Sequence, residues 1–394
     1  MRRSLLIFVL FSFSLLSVKS QEIGQRMRRN IALGVSDGAT DSISTSYLNL
    51  GLFSNINNLS GFQFGVLTST VHDRTSGYNF GGLVSLTGHD MNGLQMAGIA
   101  NGVGADVNGM QLCALANITR MAVNGVQLSG MVNVSAGDVR GFQMGGVANV
   151  SGHLQGVQIS GFSNIVTGRS SGLQLCGVAN IAVSIRKGAQ VAGVMNVCAS
   201  RTRGWQLAAY NYADTLDGSQ FGIINACVHH QHGVQIGLIN YSRDTVAHKI
   251  GLVNVNPDTR IQMMVYGGTS TKINVAARFR NRRTYNIIGF GTHYMGLDKR
   301  FSGALFYRIG QYFNLGRHWS ISGDVGYYHI ETFAENSYAS PERLYSLQCR
   351  LNADYQMSRY FGIFASLGYG NTRYYDHARL YKSKMLMELG LTLF

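Results

Sequence analysis

From about Tyr47 to Val255 the chain repeats itself roughly every sixteen residues, and a period of that length dictates stacked copies of one short structural unit. The copy at Gly141 to Val150, GFQMGGVANV, shows the pattern: G-φ-Q-φ-x-G-φ-x-N-φ, with φ apolar, followed by a variable polar stretch. One amide column runs through Asn49, Gln63, Asn79, Gln95, Gln111, Gln127, Gln143, Gln158, Gln174, Gln190, Gln206, Gln220 and Gln235 to a degenerate copy at Lys249. A second follows at Asn101, Asn117, Asn133, Asn149, Asn164, Asn180, Asn196, Asn211, Asn225, Asn240 and Asn254.

Recurrence of the same amide is explained by parallel stacking, in which equivalent side chains lie about 4.8 Å apart and each amide bonds the next. Apolar neighbours such as Val126 and Leu128 point to the face opposite Gln127. Alternation breaks in every copy at the glycine, as at Gly130, which implies a corner; a membrane strand would alternate without interruption for about nine to eleven residues. The pattern therefore predicts a β-solenoid of about thirteen or fourteen coils, roughly 65 Å long at one strand spacing per coil.

Composition agrees with an all-β chain, since 49 glycines with only two prolines suit turns and strands better than helices. The first twenty residues, with Arg2 and Arg3 before an apolar run and Lys19 and Ser20 after it, read as a secretory signal peptide. No later apolar stretch reaches the ~18 residues of a membrane helix. The five cysteines do not form a disulfide framework. Cys113 and Cys176 share a slot four repeats apart, about 19 Å in a stack, and read as small buried thiols. The formal charge of +14 is scattered instead of gathered into a tract, so nucleic acid is not the expected partner; an exported basic chain suits anionic lipid headgroups or polysaccharide.

Charges within the array keep to the variable segments: Asp73, Arg74, Asp106, Asp138, Arg140, Arg169, Arg186, Lys187, Arg201, Arg203, Asp214, Asp217, Arg243 and Asp244. These line one edge, which suits a polysaccharide or protein ligand and equally suits plain solvent-exposed turns.

Beyond Pro257 the period changes to two. Tyr345, Leu347, Cys349, Leu351, Ala353 and Tyr355 fall on one face, against Ser346, Gln348, Arg350, Asn352 and Asp354 on the other. A charged residue at nearly every second position cannot face a dry soluble core but can face the polar interior of a membrane barrel. Eight strands are expected near 260–267, 271–280, 285–295, 300–312, 318–329, 343–355, 360–370 and 384–394. Phe301, Tyr307, Trp319, Tyr327, Tyr355, Phe361 and Tyr369 lie near strand ends, as an interfacial girdle would. Long connections at 330–342 and 371–383 against a tight turn at 356–358 match long outer loops and short periplasmic turns. An eight-stranded barrel is filled by side chains and so is an anchor instead of a pore.

The signal peptide, the repeats and a terminal strand ending in Phe394 together resemble the exported surface-repeat proteins of spirochaetes and the Bacteroidota. Phe394 itself resembles the C-terminal aromatic of bacterial outer-membrane barrels, although Leu389, Leu391 and Leu393 take the opposite parity. The resemblance implies an outer-membrane or cell-surface location and brings no catalytic residues or cofactor.

Two local clusters invite chemistry. His229, His230 and His232 form an HHQH run whose imidazoles could share a metal. His329 and Glu331 could join Ser346 in a lipid-hydrolysing site. The expected organisation is thus a signal peptide (1–20), an N-terminal cap (21–46), a repeat β-solenoid (47–256) and an eight-stranded antiparallel membrane barrel (257–394). The expected function is a non-catalytic, lipid-anchored envelope protein of the bacterial outer membrane, using no cofactor. Simple topology puts the array in the periplasm and the resemblance puts it on the surface. The alternative is one large transport barrel in which the repeats are themselves membrane strands.

Overall fold

The computed structural model describes residues 31–36, 45–244, 248–281, 284–293, 302–332, 342–376 and 378–394. Residues 1–20, expected to be a signal peptide, and most of the expected cap at 21–46 lie outside them. The chain is all-β, a parallel β-solenoid of about 13 turns followed by a closed eight-stranded antiparallel barrel. It divides into two compact units, one ending at Gly168 and one running from Arg169 to Phe394.

A coil of the first unit is a seven-residue strand, a bend and a four-residue strand, as in Val123–Ser129 and Val132–Ser135. Coils pair in parallel and in register: Gln127 opposes Gln111 and Gln143, and Asn133 opposes Asn117 and Asn149. The strand Ile31–Ser36 already pairs in parallel with Thr45–Ile56, so coiling begins before Tyr47.

The amides turn inward. Gln127, Asn133, Gln143 and Asn149 are fully buried, while the apolar residues Met131 and Met144 are exposed. A buried amide is costly unless its hydrogens are used, and the stack uses them. Gln127 Nε2 donates to Gln111 Oε1 at 2.7 Å and Gln143 Nε2 to Gln127 Oε1 at 2.6 Å. Asn117 Nδ2 donates the opposite way along the stack, to Asn133 Oδ1 at 2.8 Å, and also to the Leu128 carbonyl at 2.8 Å, just ahead of the bend. The asparagine column thus also serves a carbonyl where the strand is about to end.

The glycine two residues before each glutamine has a backbone reason. Gly125 and Gly141 sit at φ of 145° and 140°, a region open to glycine alone. A Cβ on Gly141 would stand 2.0 Å from the Gly125 carbonyl oxygen.

In the second unit Gln190, Gln206, Gln220 and Gln235 each donate to the glutamine of the preceding coil at 2.8–2.9 Å. Gln206, Gln220 and Gln235 also each donate to the carbonyl six residues on. Lys249 occupies the last slot of this column, opposite Gln235. Its Nζ keeps the bond to the carbonyl six residues on, Val255 at 2.7 Å, but does not reach Gln235 Oε1, which is buried without a partner among the described residues. Burial lowers the Lys249 pKa to about 8, against partial compensation from Cys227 and Asp244.

Since the folded value lies below the unfolded one, the cost of charging Lys249 is felt in full below pH 8 and fades as pH rises toward the unfolded lysine value of about 10.4. Lys249→Gln should therefore raise the thermal midpoint of the array at pH 7. Its advantage should shrink between pH 8 and 10.5 in circular-dichroism melts; a gain that is unchanged across that interval would contradict the assignment.

The barrel strands are Arg260–Gly268, Thr271–Arg280, Thr284–His293, Ser302–Asn314, Trp319–Thr332, Glu342–Gln356, Phe361–Tyr374 and Leu380–Leu393. Each pairs antiparallel with the next, and the last closes on the first through Leu393 opposite Met263. The repeats are therefore not strands of one large transport barrel, because they pair in parallel with one another and the barrel closes with eight strands of its own. The seventh and eighth strands run further than the alternation suggested, leaving only 375–379 between them.

Candidate functional site

The barrel wall is polar inside and apolar outside. Along the sixth strand Ser346, Gln348, Arg350, Asn352 and Asp354 are buried, while Leu347 and Leu351 are exposed by 58% and 67%. Leu305, Val325, Leu367, Leu389 and Leu391 continue the outer apolar surface on neighbouring strands.

The interior is held by paired charges. Arg308 makes a two-point contact with Asp324 at 2.6 and 2.9 Å, and Arg350 does the same with Glu388 at 2.9 and 3.0 Å. Arg308 also approaches Glu388 at 3.8 Å, and Arg278 Nη1 meets Asp354 at 2.6 Å. Asp324 further accepts bonds from Tyr285 Oη and Asn352 Nδ2, both at 2.8 Å. Three arginines thus face three carboxylates, and such burial is tolerable only with this degree of pairing. Beside them Phe306 stacks on Tyr328 with centroids 4.7 Å apart, and Tyr266 meets Phe306 and Phe364 edge-on. The pairings were not legible from spacing, because partners lie 16, 38 and 76 residues apart. Only their shared inward parity was.

A second interface joins the last coil to the barrel wall. Asn254 ends the asparagine column by donating to Asn286 Oδ1 at 2.9 Å, and Asn286 Nδ2 donates to the Gly251 carbonyl at 3.2 Å. Tyr307 Oη donates to the same carbonyl at 2.5 Å, and Asn281 Nδ2 to the Asn254 carbonyl at 3.0 Å. Tyr307, expected in an interfacial girdle, is thus a docking residue for the array. Asn286 was missed, although an asparagine with the outward parity of Ile288 and Phe290 was a visible signal. Trp319 and Tyr355 do lie together on the outer wall, rings 4.8 Å apart.

The two chemical clusters are not assembled. His232 Nδ1 lies 3.1 Å from Asp217, whereas His229 lies 3.7 Å from a different carboxylate, Asp244. Burial pushes the His230 pKa down, and its ring nitrogens have no partner among the described residues. Burial favours the protonated form of Asp217, but hydrogen bonds from His232 and Arg203 outweigh it and hold the carboxyl below the usual range. No group of three or more potential ligands able to hold a metal occurs among the described residues. His329 and Glu331 are 3.4 Å apart and half-exposed on the outer parity of the fifth strand. Ser346 is fully buried inside, bonded to Thr372 and Gln348, so the wall separates the proposed nucleophile from its base.

All five cysteines are free. Cys176 is buried, as its slot suggested, but Cys113 is only half-buried and Cys349 is exposed on the outer wall.

Two solved structures are similar to the barrel. One is a de novo designed transmembrane β-barrel, 13% identical, with 35% of this chain and 97% of that chain covered at a TM-score of 0.23. The other is Neisserial surface protein A, 8% identical, with 34% and 93% covered at a TM-score of 0.25. No family model matches the chain, and no curated protein does.

Proposed function

We propose that the barrel anchors the repeat array in the bacterial outer membrane, and that the array serves the envelope as a structural or binding element without catalysis. The observation that carries this reading is the inverted polarity of the wall. Paired arginines and carboxylates fill the interior, while leucine and methionine cover the exterior. Water would penalise that exterior and lipid favours it.

The first and last strands meet at the rim from which the array departs. Turns at that rim, 281–283, 315–318 and 357–360, run to three or four residues, whereas the opposite connections run from two, at 269–270, through five, at 375–379, to eight and nine, at 294–301 and 333–341. Short turns belong inside, which supports a periplasmic side for the last coils. The charged variable edge of the array, with Asp138, Arg140, Arg203 and Asp217 among its exposed and half-exposed groups, is the surface offered to a polysaccharide or protein ligand.

Leu351→Arg tests the anchor. On a lipid-facing wall near mid-depth it should cost about 2–4 kcal/mol of folding stability in phosphatidylcholine vesicles. On a water-facing wall it should stay within about 0.5 kcal/mol. The second result in urea titrations would remove the membrane reading.

A further inference from the structure

Because its amides point inward, the array turns its apolar residues out. In the coils of the second unit they line up in register, with Leu207, Phe221, Ile236 and Ile250 in one column and Ile223 and Leu238 beside it. Leu207, Ile223, Leu238 and Ile250 are 50–55% exposed, and Trp205 is 66% exposed with its ring against Phe221 at 6.4 Å. Charges stay on the variable segments, at Arg201, Arg203, Asp217, His232, Arg243 and Asp244. An exposed apolar surface of this extent marks a site of contact.

The junction identifies the contact. Gly251, at the apolar bend of the last coil, accepts bonds from Asn286 and Tyr307. Both carry the outward parity of Phe290, Leu305 and Ile309, which are 40–64% exposed. The last coil therefore meets the barrel on its outer, apolar surface.

We propose that this side of the coils from Trp205 to Ile250 is seated in the near leaflet of the bilayer, at the boundary between headgroups and acyl chains. These coils are then surface-bound, held at one end by the barrel and along their apolar side by lipid, with the charged edge turned to water. Tryptophan is favoured at that depth, which places Trp205 as an interfacial anchor. The inference rests on the membrane anchor proposed above.

The two tryptophans provide the test. In full-length Trp319→Phe, refolded into phosphatidylcholine vesicles, Trp205 is the sole indole. With lipid brominated close to the headgroup it should lose about half of its emission or more, as expected for an interfacial ring, and acrylamide should quench it weakly. Full acrylamide quenching with no effect of bromolipid would overturn the proposal. So would protection from both quenchers, which would mean that another protein or a second copy covers this side. Trp205→Phe, which leaves Trp319 on the outer wall, separates the two readings. If Trp319 is quenched by bromolipid and Trp205 is not, the anchor stands and this inference fails; if neither is quenched, the anchor fails as well.

Discussion

Gly141→Val should unfold its coil and the coils next to it, whereas Arg140→Val, one residue away and exposed, should stay within about 0.5 kcal/mol of the parent. The backbone at Gly141 has φ of 140°, and forcing a side chain into such a region costs of order 1–3 kcal/mol. The larger cost is contact. An added Cβ would lie 2.0 Å from the Gly125 carbonyl oxygen and 2.9 Å from its carbon, and a main-chain obstacle cannot rotate aside. The coils must then part, breaking the bonds of Gln143 to Gln127 and of Gln158 to Gln143. Each amide left buried and unpaired adds about 1–3 kcal/mol, so the total exceeds about 4 kcal/mol, in the range reached by few single substitutions. Hydrogen exchange followed by mass spectrometry over 139–160 should show protection falling by about a thousandfold. Equal protection in the two variants would mean that coils do not touch along the glycine column.

Arg308→Met should be the most damaging change in the barrel. Asp324 would keep its bonds from Tyr285 and Asn352 but lose the two-point contact with its cation, and it is fully buried. Removing one partner of a buried ion pair typically costs about 3–5 kcal/mol. Glu388 remains paired with Arg350, which confines the damage to one carboxylate. Adding Asp324→Asn, which retains an acceptor for Tyr285, should restore most of the loss. Urea-dependent folding into vesicles measures both variants; a double variant no better than Arg308→Met alone would show that the arginine acts by packing instead of charge.

The two halves of the chain were legible for different reasons. In the array, one amide recurs at a spacing that only parallel stacking brings into contact, so Gln95 to Gln190 announced their neighbours. The glycine was visible in the same consensus, but its φ and its distance from the preceding coil depend on how tightly backbones approach, which composition does not encode. In the barrel, the period of two located the strands within a few residues: the strand expected at 343–355 runs from Glu342 to Gln356. It failed at the seventh connection, where Asn371 to Ser383 reads as polar loop. There Thr372 bonds Ser346 inside the barrel and Tyr374 packs against Tyr381, so the pairing continues through an unpromising sequence. The docking of Asn254 on Asn286 and of Gly251 on Tyr307 joins two elements whose periods are unrelated, and nothing local in either predicts it.

The same separation explains why the chemical clusters dissolved. His229 and His232 are close in sequence but are drawn to Asp244 and Asp217, which belong to different neighbouring coils. Ser346 and His329 oppose one another only approximately, through the pair Tyr328 and Ser346, and that one-residue offset puts their side chains on opposite sides of the wall. Parity, which located the barrel, also separates these residues.

Successive repeats run the same way, in register. Ser76, Asn92, Asn108, Asn124, Arg140 and Gln155 form one outward column, each opposite the next. In a background with the native cysteines replaced, spin labels on Ser76 and in turn on Asn108, Arg140 and Gln155 should report backbone separations of about 10, 19 and 24 Å, one strand spacing per repeat. Separations that alternate between odd and even numbers of repeats would mean that the segments run in opposite directions, and would contradict the stacked array.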